Sequence, residues 1–126
     1  MIRRKRVYEA PEADDGYRIL VERLWPRGLR KAALPLDAWE REIAPSTALR
    51  RWYGHEPDRW AEFQTRYERE LEEPAAQVIM AALVDQALRG NVTLLFSARD
   101  SEHSNAAVLE RVLSVRLTAH GRETAH

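Results

Sequence analysis

The sequence predicts an α/β fold, a small sheet of about three strands with about five helices packed on it. Residues 17–24 and 92–97 are rich in apolar and β-branched residues, as strands are. Val7 and Tyr8 give the run 2–8 the propensity to form a further strand. The segments between and after them space their apolar residues three and four apart, as helices do. Packing such helices on a sheet buries the apolar faces of both.

The chain has 126 residues, of which 44% are hydrophobic and 32% charged, a balance typical of one soluble globular domain. A chain of this length buries an adequate core without disulfides or metals. Residues 119–126 lack apolar periodicity. We therefore expect a single domain over residues 1–118, followed by a frayed C-terminal tail.

Charge and cysteine content exclude several classes of function. Lys and Arg together number 20, as do Asp and Glu, so there is no electrostatic case for general nucleic-acid binding. The absence of cysteine excludes disulfides, thiol nucleophiles and thiolate metal sites, and it fits a cytoplasmic protein. No apolar run approaches the roughly 18 to 20 residues of a membrane span.

The first predicted strand, residues 2–8, contains the basic run 3–6. We interpret this run as solvated charge that protects an edge strand, with nucleic-acid binding as the alternative. The connection 9–16 is too short for a crossover helix, so the first two strands are either an antiparallel pair or not neighbours. The second strand, residues 17–24, is stopped by Pro26.

Three helices are predicted next. The first runs from Pro35 to Ile43, with apolar residues at helical spacing. Ser46 is a good N-cap for the second, Thr47–Tyr53, which Gly54 ends. The third begins at Pro57, and its aromatic face is interpreted as core rather than as a platform for stacking bases.

A fourth helix is predicted over Pro74–Arg89. Apolar residues cover much of its circumference, which predicts burial on more than one side or contact with a partner subunit, as in a homodimer. The continuous apolar run 92–97 predicts a central strand buried on both faces. A polar loop, Ala98–Ser104, then leads into the last helix.

Two of the predicted strands end in polar loops. Arg23, Trp25 and Arg27 follow the second strand, and Arg99 and His103 follow the last one. Sites in open α/β sheets form outside the carboxyl ends of the strands. If the two strands are parallel neighbours, these arginines meet the amino end of the last helix, an arrangement that suits a phosphate or a carboxylate. The alternative is architectural, with Arg23 in an ion pair or a helix cap.

The loop after the last strand also carries groups suited to proton transfer. Asp100 and His103 have the side chains of general acids and bases. The nearby serines lack a G-x-S-x-G elbow, and Asp and Ser at the start of a helix are commonly caps. Neither a metal-ligating histidine spacing nor a glycine-rich nucleotide cradle is present, so we expect no metal and no cofactor.

Several phrases are distinctive. The most specific is Val-Glu-Arg-Leu-Trp-Pro-Arg-Gly at 21–28, and it is accompanied by Ala-Pro-Ser at 44–46, Leu-Arg-Arg-Trp-Tyr-Gly-His at 49–55 and Val-Thr-Leu-Leu-Phe-Ser-Ala-Arg-Asp at 92–100. Together they resemble the YeaO-like family of uncharacterised bacterial proteins, over nearly the whole chain. The resemblance implies a compact α/β domain in a bacterial cytoplasm and supplies no activity.

The resemblance directs attention to one group of residues, Arg23, Trp25, Arg27, Asp100, His103 and Asn105. Glu22 stands where the family more often has Asp. A more distant branch carries a Cys-His-Arg phrase after its last strand. This chain lacks that cysteine, so the resemblance implies no thiol chemistry.

The leading prediction is a domain that binds a small anionic ligand at the carboxyl edge of the sheet. In this prediction Arg23 and Arg27 bind the anion and Trp25 walls the pocket. The remaining roles are assigned by chemistry: Asp100 and His103 orient the ligand or move a proton, and Asn105 donates a hydrogen bond. Any catalysis would be metal-free acid–base or hydrolytic chemistry. The alternatives are an interaction module without catalysis and weak nucleic-acid binding through the basic residues.

Overall fold

A computed structural model describes residues 1–124, with side chains through residue 121. Its strands form one parallel sheet, and they are β1 (Ile2–Arg6), β2 (Tyr17–Leu20), β3 (Ala38–Trp39) and β4 (Val92–Phe96). Its α-helices are α1 (Thr47–Tyr53), α2 (Trp60–Glu70), α3 (Pro74–Arg89) and α4 (Asn105–Thr124). The predicted α/β class is confirmed, with four strands and four α-helices in this part of the chain. Within it, no helix combines the length and apolar character needed to cross a membrane.

The sheet is built around β4. The spatial order is β1-β4-β2-β3, and β4 pairs in parallel with both β1 and β2. All five residues of β4 are buried, as the continuous apolar run predicts for a strand covered on both faces. Since β4 lies between them, β1 and β2 are not neighbours, which is one of the two arrangements that their short connection allows.

The two faces of the sheet are covered differently. On the helix face, strand residues such as Ile19, Val21 and Leu94 belong to a large core shared with all four helices. On the opposite face, which we call the loop face, Leu20 and Leu95 pack in a smaller cluster against the connection between β2 and β3. The alternation of side chains along each strand produces this division.

The helix predicted over Pro35–Ile43 is wrong. Its middle forms the two-residue edge strand β3, and residues 41–43 form a single 3-10 turn. The reason is that its apolar residues serve different cores. Leu36 and Trp39 pack on the loop face, whereas Ile43 is buried in the helix-face core, and one helical stripe could not reach both.

The basic run lies on the edge strand β1, as predicted, but it is not solvated. Arg4 pairs with Glu110 of α4, and Lys5 is only 9% exposed. Arg6 donates from Nε to the Ala98 carbonyl at 3.0 Å. These cations therefore join β1 to the rest of the domain.

The bounds of α3 match the prediction, but the helix is not buried all round. Val78 and Leu88 on its surface are 71% and 48% exposed. The single chain therefore does not bury more than one side of this helix, as the prediction required in the absence of a partner subunit. Helix α4 continues to Thr124 and includes residues 119–124 of the predicted tail. The remainder of that prediction, residues 125 and 126, lies outside the described residues.

Candidate functional site

A pocket of about 150 Å³ opens at the carboxyl edge of β2 and β4. It is lined by Glu22, Arg23, Leu24, Ala44, Pro45, Arg50, Tyr53, His55, Phe63, Ser97, Ala98, His103, Ser104 and Asn105. These residues come from the exits of both strands, from α1 and α2, and from the entry to α4. The parallel pairing of β2 and β4 brings the two exits together, as the sequence predicts for a site in an open sheet.

Glu22 ties the two strand exits to each other. Strand pairing ends where the Val21 N–H donates to the Leu95 carbonyl at 3.1 Å, so β2 is shorter than predicted. The Glu22 carboxylate then accepts from the Ser97 N–H at 2.6 Å and from the Ser97 hydroxyl at 2.8 Å. Burial raises the pKa of Glu22, and its bonds to Ser97 only partly oppose that shift.

Arg23 lies half-buried in the pocket wall. Its Nε donates to the Pro45 carbonyl at 2.7 Å, and a terminal nitrogen donates to the Ala44 carbonyl at 3.4 Å. Those carbonyls directly follow a 3-10 turn, so this contact is close to the helix-capping alternative. Within the described residues Arg23 makes no ion pair, and its charge is not neutralised by a direct partner.

Helix α1 delivers two further cationic or protonatable side chains. Ser46 caps the helix as predicted, accepting from the Leu49 N–H at 3.1 Å, and Arg50 lies on its second turn. The chain leaves α1 through Gly54 at φ 52° and His55 at φ 57°. Positive φ is unusual for a residue with a side chain, although histidine tolerates it better than most. This turn places the His55 ring 5.7 Å from that of Tyr53.

The side chains of Arg50 and His55 have hydrogen-bond donors that no described residue uses. Among the residues that the structure describes, neither the Arg50 guanidinium nor the His55 ring makes a hydrogen bond, although both act electrostatically on Glu22. Both residues are exposed at the mouth of the pocket. An incoming acceptor can therefore bind them without breaking a bond within the domain.

His103 is oriented by its neighbours. Its Nδ1 lies 2.7 Å from the Asp100 carboxylate, which holds the pKa of Asp100 below its ordinary range. Its ring meets Trp60 edge-on at 5.1 Å, and its carbonyl accepts from the Tyr53 hydroxyl at 2.9 Å. With Nδ1 engaged, the second ring nitrogen is the one available to a ligand.

One wall of the pocket is apolar. Tyr53 and Phe63 stack with ring centroids 4.3 Å apart, and both are almost fully buried. Ala44 and Pro45 continue this wall, and Leu24, 58% exposed, lies at the rim. The pocket thus combines a wall of rings and aliphatic groups with charged side chains.

The other predicted site residues lie outside the pocket or already hydrogen-bond to the backbone. Trp25 is on the loop face, where it donates to the Leu29 carbonyl at 2.6 Å, and it does not line the pocket. Arg27 and Arg99 are exposed and do not line it either. Asn105 does line the pocket, but its amide donates to the Val21 carbonyl at 2.8 Å and so joins α4 to the end of β2.

Sequence reasoning missed Arg50 and His55 as site residues, and it gave no site role to Glu22. The missing signal was topological, because the segment before α1 was predicted to be a helix, and α1 therefore escaped the rule that sites lie at strand ends. Both residues do fall in the phrase 49–55 that carries the family resemblance. That phrase was the one available indication.

The fold and the pocket define the class of protein: a small parallel α/β domain with a cationic pocket at the carboxyl edge of its sheet. The chain belongs to the family described as the inactive DUF488-N3 subclade, which matches residues 1–126. It is 45% identical to the uncharacterised protein YeaO of Escherichia coli K12 over 105 residues, 83% of this chain and 90% of YeaO. It is 41% identical to an uncharacterised protein of Mycobacterium tuberculosis H37Rv over 115 residues, 91% of this chain and 95% of the relative. No solved structure matches.

Proposed function

We propose that this domain binds a small anionic ligand in the pocket at the carboxyl edge of β2 and β4. The observation that carries the proposal is the Arg50 guanidinium, which lines the pocket with its donors unused by the described residues. Arg23 lies in the same wall and adds a second positive charge. Guanidinium groups bind carboxylates and phosphates through paired, charge-assisted hydrogen bonds.

The balance of charge in the pocket favours an anion. Two guanidinium groups oppose a single carboxyl, that of Glu22, and burial raises the pKa of that carboxyl. His55 and His103 add ring nitrogens that can donate to an acceptor. A ligand with negative charge would complete an arrangement in which positive charge is in excess.

Binding without turnover is the form of the proposal that we favour, because the family is described as an inactive subclade. Proton transfer by His103 is a second candidate, supported by its 2.7 Å contact with Asp100. The basic run on β1 gives little support to nucleic-acid binding, since its side chains are already paired. A cytoplasmic location, which fits the lack of cysteine, belongs to the same proposal.

Thermal unfolding with a panel of anions tests the proposal. A ligand that binds only the folded state raises the melting temperature by mass action. We expect at least one of acetate, benzoate, phosphate and sulfate to raise it, and Arg50→Gln to abolish the rise. Arg51→Gln is the matched control, an exposed arginine on the same helix that does not line the pocket, and it should leave the rise intact.

An equal rise in both variants, or no rise with any anion, would overturn the proposal. Loss of folding would not confuse the outcome, because Arg50 and Arg51 are both exposed and each can be checked by its own melting curve.

A further inference from the structure

We infer that the ligand class is a small monocarboxylate with a compact cyclic or aromatic body, about the size of benzoate. The inference rests on the proposed function and narrows it. It follows from three properties of the pocket, which are its volume, its mixed apolar and charged lining, and the available guanidinium of Arg50.

The volume of the pocket suits one small ring. The pocket measures about 150 Å³, and a cavity of this volume accommodates a benzene molecule. A nucleotide or a dinucleotide is several times larger. The charged head group can extend towards the mouth, where Arg50 and His55 lie.

The lining of the pocket is part apolar and part charged, which suits an amphipathic ligand. The stacked rings of Tyr53 and Phe63, with Leu24 at the rim, provide apolar surface. Burying a ring against that surface removes apolar area from water, whereas inorganic phosphate would gain nothing there. The exposed Arg50 guanidinium is available to the charged end of such a ligand.

The Arg50 guanidinium favours a carboxylate as the head group. A carboxylate accepts two parallel hydrogen bonds from the planar guanidinium fork and carries a single charge. Arg50 lines the pocket and is exposed, so its donors are available to such a head group.

The test is an NMR titration of the uniformly ¹⁵N-labelled protein with four matched probes. Benzoate carries both features, acetate lacks the ring, benzamide lacks the charge, and inorganic phosphate lacks the ring and adds charge. We expect benzoate to bind at least about tenfold more tightly than each of the others. Against acetate and phosphate the advantage is burial of the ring, and against benzamide it is the charge-assisted hydrogen bond to Arg50. Shifted amides should map to residues that line the pocket.

Two variants separate the head group from the ring. Arg50→Gln should lower benzoate affinity about tenfold or more, the effect of losing a charge-assisted hydrogen bond. Leu24→Ser should weaken benzoate and leave acetate unchanged, since Leu24 lies at the apolar rim. Leu88→Ser, which changes an exposed leucine on α3 away from the pocket, is the control and should change neither.

The outcomes distinguish the two levels of the claim. The inference is supported if the protein binds benzoate most tightly and both variants change affinity as stated. Phosphate or acetate bound as tightly as benzoate, with affinity lost in Arg50→Gln, overturns the inference and leaves the proposed anion site standing. No binding of any probe to the folded protein overturns both.

Discussion

Two groups of charged residues lie on this sheet, and they are satisfied to very different degrees. On the loop face, Lys5, Asp15 and Arg18 form a buried cluster in which opposite charges contact each other directly. At the carboxyl edge, Arg23 and Arg50 line an open pocket without an ion-pair partner among the described residues. The contacts of the first group are architectural, whereas the second group lines the pocket that we propose binds an anion.

The loop-face cluster is closed by its own contacts. Asp15 is 2% exposed, pairs with Arg18 and lies 3.2 Å from the Lys5 ammonium. Arg18 also donates to the Pro35 carbonyl at 2.9 Å, and the Asp15 carbonyl accepts from Thr93 at 2.7 Å. One terminal nitrogen of Arg18 is buried without a partner. The cluster thus joins two connections, the one between β1 and β2 and the one between β2 and β3, to the sheet.

The pKa values of Asp15 and Glu22 shift in opposite directions, in line with this difference. Burial alone would raise the pKa of Asp15, but hydrogen bonds from the Glu12 N–H, Lys5 and Arg18 outweigh it, and the pKa falls below its ordinary range. In the pocket, burial outweighs the partners of Glu22, and its pKa rises. Hydrogen bonds from cations and N–H groups lower the pKa of a carboxyl, and burial that such bonds do not fully offset raises it.

Removing the central carboxylate of the closed cluster should have the largest effect. Asp15→Asn leaves Arg18 buried without its counter-charge and leaves Lys5 paired with Glu12 alone, and we expect the free energy of unfolding to fall by about 3–5 kcal/mol. Urea unfolding measures this. The control is Asp14→Asn, whose side chain is 67% exposed and should cost less than about 0.5 kcal/mol. An equal loss of unfolding free energy in the two variants would show that the ion pairs of Asp15 do not stabilise the domain.

The turn that carries Asp15 into β2 offers a second way to break the cluster. Gly16 has φ 66°, and a Cβ there would lie 2.2 Å from the Asn91 carbonyl oxygen. Gly16→Ala should therefore cost about 1–3 kcal/mol through backbone strain and displacement of β4. Gly90→Ala is the control, because a Cβ at Gly90 meets nothing within 4 Å. Chemical denaturation of both variants should show a loss at Gly16 alone.

The backbone of the pocket can be tested at His55, which adopts φ 57°. If this backbone is strained for the sake of the pocket, His55→Gly should be more stable than His55→Ala by about 1 kcal/mol. Anion affinity should fall in both variants, since both lack the ring. An alanine variant as stable as the glycine variant would remove the argument that strain is stored at this turn.

The opposite pKa shifts predict opposite responses to acid. The stabilising contribution of Asp15 is present above its ordinary value of 3.8 and is lost as the pH falls through its lowered folded value. The contribution of Glu22 is present below its ordinary value of 4.5 and is lost as the pH rises through its raised folded value. Wild type should therefore lose stability relative to Glu22→Gln as the pH rises from acidic to neutral. A difference that stays constant, or grows in favour of wild type, would contradict the raised pKa.

Sequence patterns predicted the central strand and the long helices because the apolar residues of each element recur at one regular spacing and pack into one core. Residues 92–96 and 74–89 are of this kind. The segment 35–43 misled because its apolar residues divide between two cores, a distinction that spacing alone does not carry. Strand pairing brought Arg23 and His103 to one pocket as predicted, while Trp25 turned to the other face. Arg50 and His55 came from a helix whose position relative to the sheet only packing determines.

The most direct test of the central claim is a crystal structure of the protein grown with saturating benzoate. We expect the carboxylate to lie within hydrogen-bonding distance of the Arg50 guanidinium and the ring to lie against Phe63 and Pro45. Benzoate bound elsewhere on the domain, or an unoccupied pocket in crystals where its mouth is open to solvent, would contradict it.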